Sequence, residues 1–507
     1  MALKRLLSIG IIIGLVGCQA EKLQVDEKQS NLTKTTGAAA SLSEAEYDAL
    51  TPEQQYQVAN KLLGTLYKGV PVSSFFDTKA GTKKLKVSGG KNILTETHDA
   101  LKERIAYKDG YVSAIEIRHN LDVEHKASTK PLATIKEFPL SRDMLEEWMA
   151  YTLANTILFS PASEIASASF TDVQRIYDNL VSAMSEDASI RDIILAHQKS
   201  QANWRRFRSP EDNTREMIEI YLGLFDRDED VPKASIACRN WYIDDNDGKY
   251  DLIIDNNNKN SEPQFVLGSW VTSCEDFYEV IANHPLVIPR MTTFLVDRFF
   301  PNFSSEKRAA IVQDIVATNP SRFHDIFTPI LFSKEYLLNN EKAKSFEEAF
   351  FNISQRIYWD NNPNFMIALT DPNPRDSTQE TLYRMKQPPM SLKLGRFKDQ
   401  PLDSLSFAYY HKAMRSRLLI DSNPTNSWGG WDNTIVHDGD YLSDEDYVDL
   451  LFLSIVSRKP TQNELTELEL VFNEINDNKI TDERKKKALI VFDYLSRLPE
   501  LYYYNKI

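Results

Sequence analysis

The sequence predicts a mainly α-helical fold: a large multi-helix array with a small irregular N-terminal region that carries a β-hairpin. Three observations lead there. From Ser141 onward, apolar residues recur every three to four positions in segment after segment. Several segments open on a Ser or Thr that can accept the unpaired backbone N–H groups of a first helical turn. The loops between them are short, strand does not alternate with helix, and no repeat of fixed period occurs.

In chain order, Thr51-Pro52-Glu53 caps a helix to about Lys68, with Val58, Leu62, Leu63 and Leu66 on one face. Residues 70–140 are punctuated by Gly81, Gly89 and Gly90. There Tyr111–Ile117 is the best strand, pairing with residues near 132–138. Ser141 caps a helix to about Phe159, followed by helices at about 170–185, 188–200, 209–224 and 231–242. Tyr250 to Asn260 is an Asp/Asn-rich loop. Helices resume at about 274–283, 286–300, 304–318, 321–338 and 343–359. Residues 360–400 are rich in Pro and Asn, with one short helix near 376–386, and a further helix spans about 400–419. Ser443-Asp-Glu-Asp446 and Thr461-Gln-Asn-Glu464 then cap two of three final helices, at about 443–457, 460–476 and 480–497.

The clearest helix start is Ser209-Pro210-Glu211-Asp212. Ser209 is a cap, Pro210 suits the first helical position, and the two acids face the positive end of the helix dipole. Met217, Ile220, Tyr221 and Leu224 form the apolar stripe, and Gly223 marks the end. Arg215 and Glu219 are four apart, as are Asp212 and Glu216. These four residues are either a solvated face with surface ion pairs or a buried network organising the core. On the second reading, Arg215→Ala destabilises the fold by leaving buried carboxylates unpaired.

Composition narrows the partners. The 507 residues carry 59 basic and 73 acidic side chains, a net charge of −14. Phosphate binding needs a basic face, so nucleic acid is an unsuitable partner. Lys4 and Arg5 precede an apolar run, Leu6 to Leu15, that is too short to span a bilayer. The run ends in Leu15-Val16-Gly17-Cys18, which resembles the bacterial lipobox. That resemblance implies cleavage before Cys18, lipidation of its thiol and, with Gln19 rather than Asp following, the outer membrane of a Gram-negative cell. The segmentation expected is a leader over 1–17 and a polar tether over 18–45. An N-terminal helix plus irregular region follows over 46–140, a central helical core over 141–359 and a C-terminal helical region over 360–507.

Once Cys18 is set aside, Cys238 and Cys274 remain. An oxidising compartment favours their pairing; otherwise they are two separate buried thiols. Asp244-Asp-Asn-Asp-Gly248 has the look of a calcium loop. However, with Gly248 at the sixth position, Ile243 and Ile254 fall where the first ligand and the bidentate Glu belong, so a solvated turn fits better. His119 and His125, six apart, suit no helical metal face. No metal or cofactor site is expected. His284-Pro285 reads as a helix start with a capping or packing histidine, and His437-Asp-Gly-Asp440 as a turn. No nucleophile elbow, phosphate loop, dinucleotide fingerprint or zinc-protease motif is present. In Trp428-Gly-Gly-Trp431, two tryptophans either pin the loop to the helices or form a platform for a sugar or a partner.

Several blocks, in order, resemble a bacterial secreted family known as domain of unknown function 1800. Glu211-Asp-Asn-Thr-Arg-Glu216 with Glu219-Ile220 partly matches its central helix, with Arg215, Glu216 and Glu219 in register. Trp241, Leu267-Gly268, His284-Pro285, Trp428-Gly-Gly-Trp431 and Ser457-Arg-Lys-Pro-Thr461 follow, so the likeness covers roughly residues 140–475. The family often has Phe-Trp-His-Asn-His where this chain has Thr152-Leu-Ala-Asn-Thr156, so any chemistry of those histidines is lost here. The resemblance implies a helical fold and an envelope location, with a secreted, sulfatase-like protein as one possible partner class.

The expectation is therefore an outer-membrane lipoprotein that scaffolds or recruits an envelope partner without catalysis. The alternative is a periplasmic or surface hydrolase or carbohydrate-active enzyme using Arg215, Glu216 and Glu219.

Overall fold

A computed structural model describes residues 37–77, 85–87, 92–105, 130–158, 170–356, 442–474 and 483–507. The fold is mainly α-helical with only short two-stranded ladders, as expected. Among the described residues, no helix is long and apolar enough to cross a membrane.

The N-terminal part has α1 (Glu44–Asp48), α2 (Pro52–Thr65), a ladder of β1 (Phe76–Asp77) with β2 (Lys86–Val87), α3 (Ile93–Ala100) and α4 (Lys130–Glu137). The expected strand at 111–117 lies outside the described residues. Its proposed partner near 132–138 is not a strand: it is α4, whose Leu132 and Ile135, three apart, are both buried as a helical face requires.

In the central part, α5 (Arg142–Ala154) is capped by Ser141, whose hydroxyl accepts from the Met144 N–H at 3.1 Å. Every residue from Asp143 to Ala154 is buried. A helix apolar on one side only would lie at the surface; one enclosed all round sits inside the core. It packs against α4 and α6 (Phe170–Ser185). The helix expected at 188–200 is α7 (Ile190–Gln198). A second helix, α8 (Gln201–Arg206), starts at once because Ser200 provides a new cap to the Asn203 N–H. Then come α9 (Pro210–Leu222) and α10 (Val231–Ala237).

The helix expected to run to 242 stops five residues early. Residues 239–273 instead form two hairpins: β3 (Trp241–Asp244) with β4 (Asp251–Ile254), and β5 (Gln264–Val266) with β6 (Ser269–Val271), all antiparallel. The Asp/Asn-rich stretch at 250–260 therefore contains a strand and a short turn of 3-10 helix as well as loop.

Helices α11 (Cys274–Asn283), α12 (Val287–Phe299), α13 (Ser305–Ala317), α14 (His324–Phe332) and α15 (Phe346–Arg356) follow, with β7 (Lys342–Ala343) between the last two. The C-terminal part comprises α16 (Asp444–Val456), α17 (Gln462–Glu474), α18 (Glu483–Leu495), α19 (Pro499–Tyr502) and β8 (Tyr503–Tyr504). The pairing of β8 with β7, Lys342 opposite Tyr504, joins this part to the central one. Gly64 in the last turn of α2 permits a close approach there: a Cβ would collide with the Asn352 side chain and lie 2.7 Å from the Tyr504 hydroxyl.

Candidate functional site

Helix α9 has the termini the sequence predicts. The Ser209 hydroxyl accepts from the Asp212 N–H at 3.1 Å, Pro210 is at the first turn, and Gly223 ends the helix at φ +70°. Its charges do not form a buried network. The buried positions are Asn213, Thr214, Met217, Ile218, Tyr221 and Leu222, a stripe at three- and four-residue spacing. That stripe leaves Glu211, Arg215 and Glu219 on the far face. Arg215 is 37% exposed and bonds Asp228 at 2.7 Å, with Glu211 at 3.6 Å. Glu216 is half-buried on the flank; its carboxyl is pushed up by burial, which outweighs the nearby Arg206. Asp212 is raised by burial as well. Of the two arrangements left open by the sequence, surface pairing is thus the one adopted by Arg215, and the buried network around it is not formed. His284 closes α11, its Nδ1 accepting the Leu286 N–H at 3.2 Å, as a capping histidine would.

The buried charge network is on α5. Glu146 is fully buried and accepts from Arg104 at 2.6 Å and from Arg142 at 3.0 Å, with His324 Nε2 at 3.5 Å. Asp143 accepts from Arg104 and from the Ile105 N–H. Burial raises the Glu146 carboxyl while the two guanidinium groups lower it. Beside it, His98, Arg142, Arg322 and His324 line a 280 Å³ cavity. Both histidines are held down to about 4, first by desolvation. Sequence spacing alone misses this set, because Arg104 and His324 reach Glu146 from distant segments. The signal available was two acids, Glu146 and Glu147, inside an otherwise apolar helical run.

A second feature, at the surface, is the double hairpin. Cys238 and Cys274 form a disulfide, one of the two arrangements left open by the sequence. It joins the end of α10 to the start of α11 and closes the 239–273 segment at its base. Trp241 anchors that base. It is 3% exposed and packs between Trp204 and Tyr278, with ring centroids 5.7 and 5.8 Å away. Arg205 donates to the Lys249 and Tyr250 carbonyls, and Arg239 to those of Asn258 and Lys259. The Asp244–Gly248 run is the β3–β4 turn; Asp244 accepts from Asn246 and Asp247 from Lys249, the solvated turn expected.

The second hairpin alternates strictly. Val266 and Val271 face inward and are buried, whereas their neighbours Phe265 and Trp270 are 47% and 70% exposed. The two rings are cross-strand partners with centroids 5.2 Å apart. Leu267 and Gly268 make the two-residue turn, both at positive φ. Leu267 is not a residue that adopts φ +49° readily; its N–H is held by the Asp230 carboxylate at 3.2 Å. The readable signal was Gln264-Phe-Val-Leu-Gly-Ser-Trp-Val271, an alternating run on each side of a Gly-containing pair.

Trp428, Trp431 and Cys18 lie outside the described residues. Among the described residues, no group of three His, Cys, Asp or Glu side chains is placed to hold a metal ion. No family model, no curated protein and no solved structure matches the chain.

Proposed function

We propose that the protein is an envelope lipoprotein, anchored in the outer membrane through Cys18, that binds an envelope protein partner by the disulfide-closed lobe. The observation that carries this reading is the Phe265–Trp270 pair. Isolated exposed apolar residues are ordinary, but two large aromatics in contact on the outer face of a clamped hairpin form a rigid apolar anchor. The disulfide supports an oxidising compartment, in agreement with the lipobox-like leader. Divergent membership of the domain of unknown function 1800 family fits the same reading, and a sulfatase-like secreted protein is one partner class to test. The hydrolase alternative has weaker support, because Arg215, Glu216 and Glu219 do not converge on a shared cleft.

The test is a photo-crosslinking amino acid placed at Phe265 or Trp270 in cells, with Lys233 as the control position. The reading expects one dominant envelope-protein adduct from the hairpin positions and none from the control. Identical patterns from all three positions would overturn it.

A further inference from the structure

A second cavity, of 210 Å³, lies where α2, α15, the end of α16 and the C-terminal residues meet. Its wall includes Lys61 and Lys344, whose exposures are only 2% and 6%. The Lys61 ammonium donates to the Asn340 carbonyl at 2.6 Å and the Asn505 carbonyl at 3.1 Å. The Lys344 ammonium donates to the Glu500 and Leu501 carbonyls at 2.9 and 3.3 Å. Tyrosine rings lie 5.7 Å from the first (Tyr336) and 4.9 Å from the second (Tyr504). Among the described residues, neither ammonium has a carboxylate within salt-bridge distance.

The surrounding acids offset the deficit only in part: Glu341 favours the Lys61 ammonium, and Glu348 and Glu500 the Lys344 ammonium, all from beyond salt-bridge distance. Arg458 and Glu500 on the wall pair with each other at 3.0 Å, and Arg458 also holds Glu464. Lys342 and Glu348, next along, pair at 2.9 Å. Arg356 is buried close by, and Lys506 adds a further cation to the rim. Two buried cations thus have carbonyl dipoles and aromatic faces for contacts, a costly state for groups removed from water. Each ammonium has three N–H donors and spends two of them. Two buried acceptors on the same wall, Asn60 Oδ1 and Asn352 Oδ1, have no donor.

We infer that this cavity binds a small oxyanion that also carries hydroxyl groups, such as a sugar sulfate, a sugar phosphate or a hydroxy acid. The Lys61 and Lys344 ammonium groups hold the anionic oxygens. The Asn60 and Asn352 amide oxygens accept from the hydroxyls. The volume admits one such unit. The inference does not rest on the double-hairpin lobe and can fail separately from it. Burial holds both lysines down to about 7, an effect that a bound anion would counter.

The test uses the full chain and glucose 6-sulfate, whose charge is constant between pH 6 and 10, with glucose as the uncharged control at matched ionic strength. Calorimetric titration is expected to show one site for glucose 6-sulfate and none for glucose. Affinity is expected to fall at least tenfold from pH 6 to pH 9, as the two ammonium groups lose their protons. Lys61→Met and Lys344→Met should each weaken binding more than tenfold. The near-isosteric Asn352→Asp should do the same by setting a carboxylate against the anion, and it serves where a lysine variant does not fold. Equal responses to glucose 6-sulfate and glucose, a pH-independent affinity, or unchanged binding by a folded variant would each overturn the inference, leaving the two lysines as ties for the C-terminal residues.

Discussion

At the residue scale, burial decides what each charge does. Glu146 lies inside the core, yet the guanidinium groups that hold it are 38% and 21% exposed. Glu146→Gln should therefore destabilise by about 2 kcal/mol, less than the 3–5 kcal/mol typical of breaking a fully buried pair, because both arginines can reach water. Arg215→Ala should leave the melting temperature unchanged, since its partners are solvated acids; a melt of both variants compares them directly. Gly64→Ala should cost about 1–3 kcal/mol by overpacking against Asn352 and Tyr504, although alanine normally favours a helix. Two buried histidines, His98 and His197, and the partly buried His324 set an acid limit. His98 and His324 are held down to about 4 and His197 to about 3, chiefly by desolvation. A base with a depressed folded pKa stabilises fully above its unfolded pKa of about 6.5 and loses that contribution as pH falls toward 4. Denaturant unfolding at pH 7, 6, 5 and 4 should show stability falling over that window, and His197→Gln should flatten the slope.

At the element scale, helix ends are the most legible feature. The hydroxyls of Ser141, Ser209 and Ser443 each accept from the backbone N–H three residues on, as their sequence context predicts. Such caps are local, so the sequence carries them whole. The hairpins of residues 239–273 were not legible in the same way. Their strands are three or four residues long, and Asp/Asn-rich turns dominate the composition around them. The run through Trp241 continues a helical apolar pattern on paper; the buried Trp204–Trp241–Tyr278 stack is a tertiary contact that overrides it. The charged face of α9 was legible as a face but not as to which side it points. That depends on Ile218, rather than Leu224, completing the buried stripe. The disulfide spans 36 residues, and chain-entropy arguments put its contribution at about 3–4 kcal/mol. Cys238→Ser with Cys274→Ser should lower stability by that amount and increase proteolytic cleavage within 239–273. Unchanged cleavage would show that Trp241 and the arginine bonds alone hold the lobe.

At the scale of the whole molecule, the described residues form a mainly helical body that carries a clamped pair of hairpins, with the Phe265 and Trp270 rings exposed on the second. On the proposed reading, the lipobox-like leader sets where this body resides, the net charge of −14 disfavours nucleic acid, and the lobe meets the partner. Anchoring and recognition are separable on this account. Cys18→Ala should release the protein from the membrane fraction without altering its melt. Changing the hairpin surface should leave anchoring intact. The most direct measurement is affinity isolation of the full-length protein from detergent-solubilised envelopes, wild type beside the Phe265→Ser, Trp270→Ser double variant. The account predicts equal membrane association and equal melting temperature, with at least a tenfold loss of the envelope protein that crosslinks at these positions. Recovery of that protein in equal amount with the double variant would contradict it.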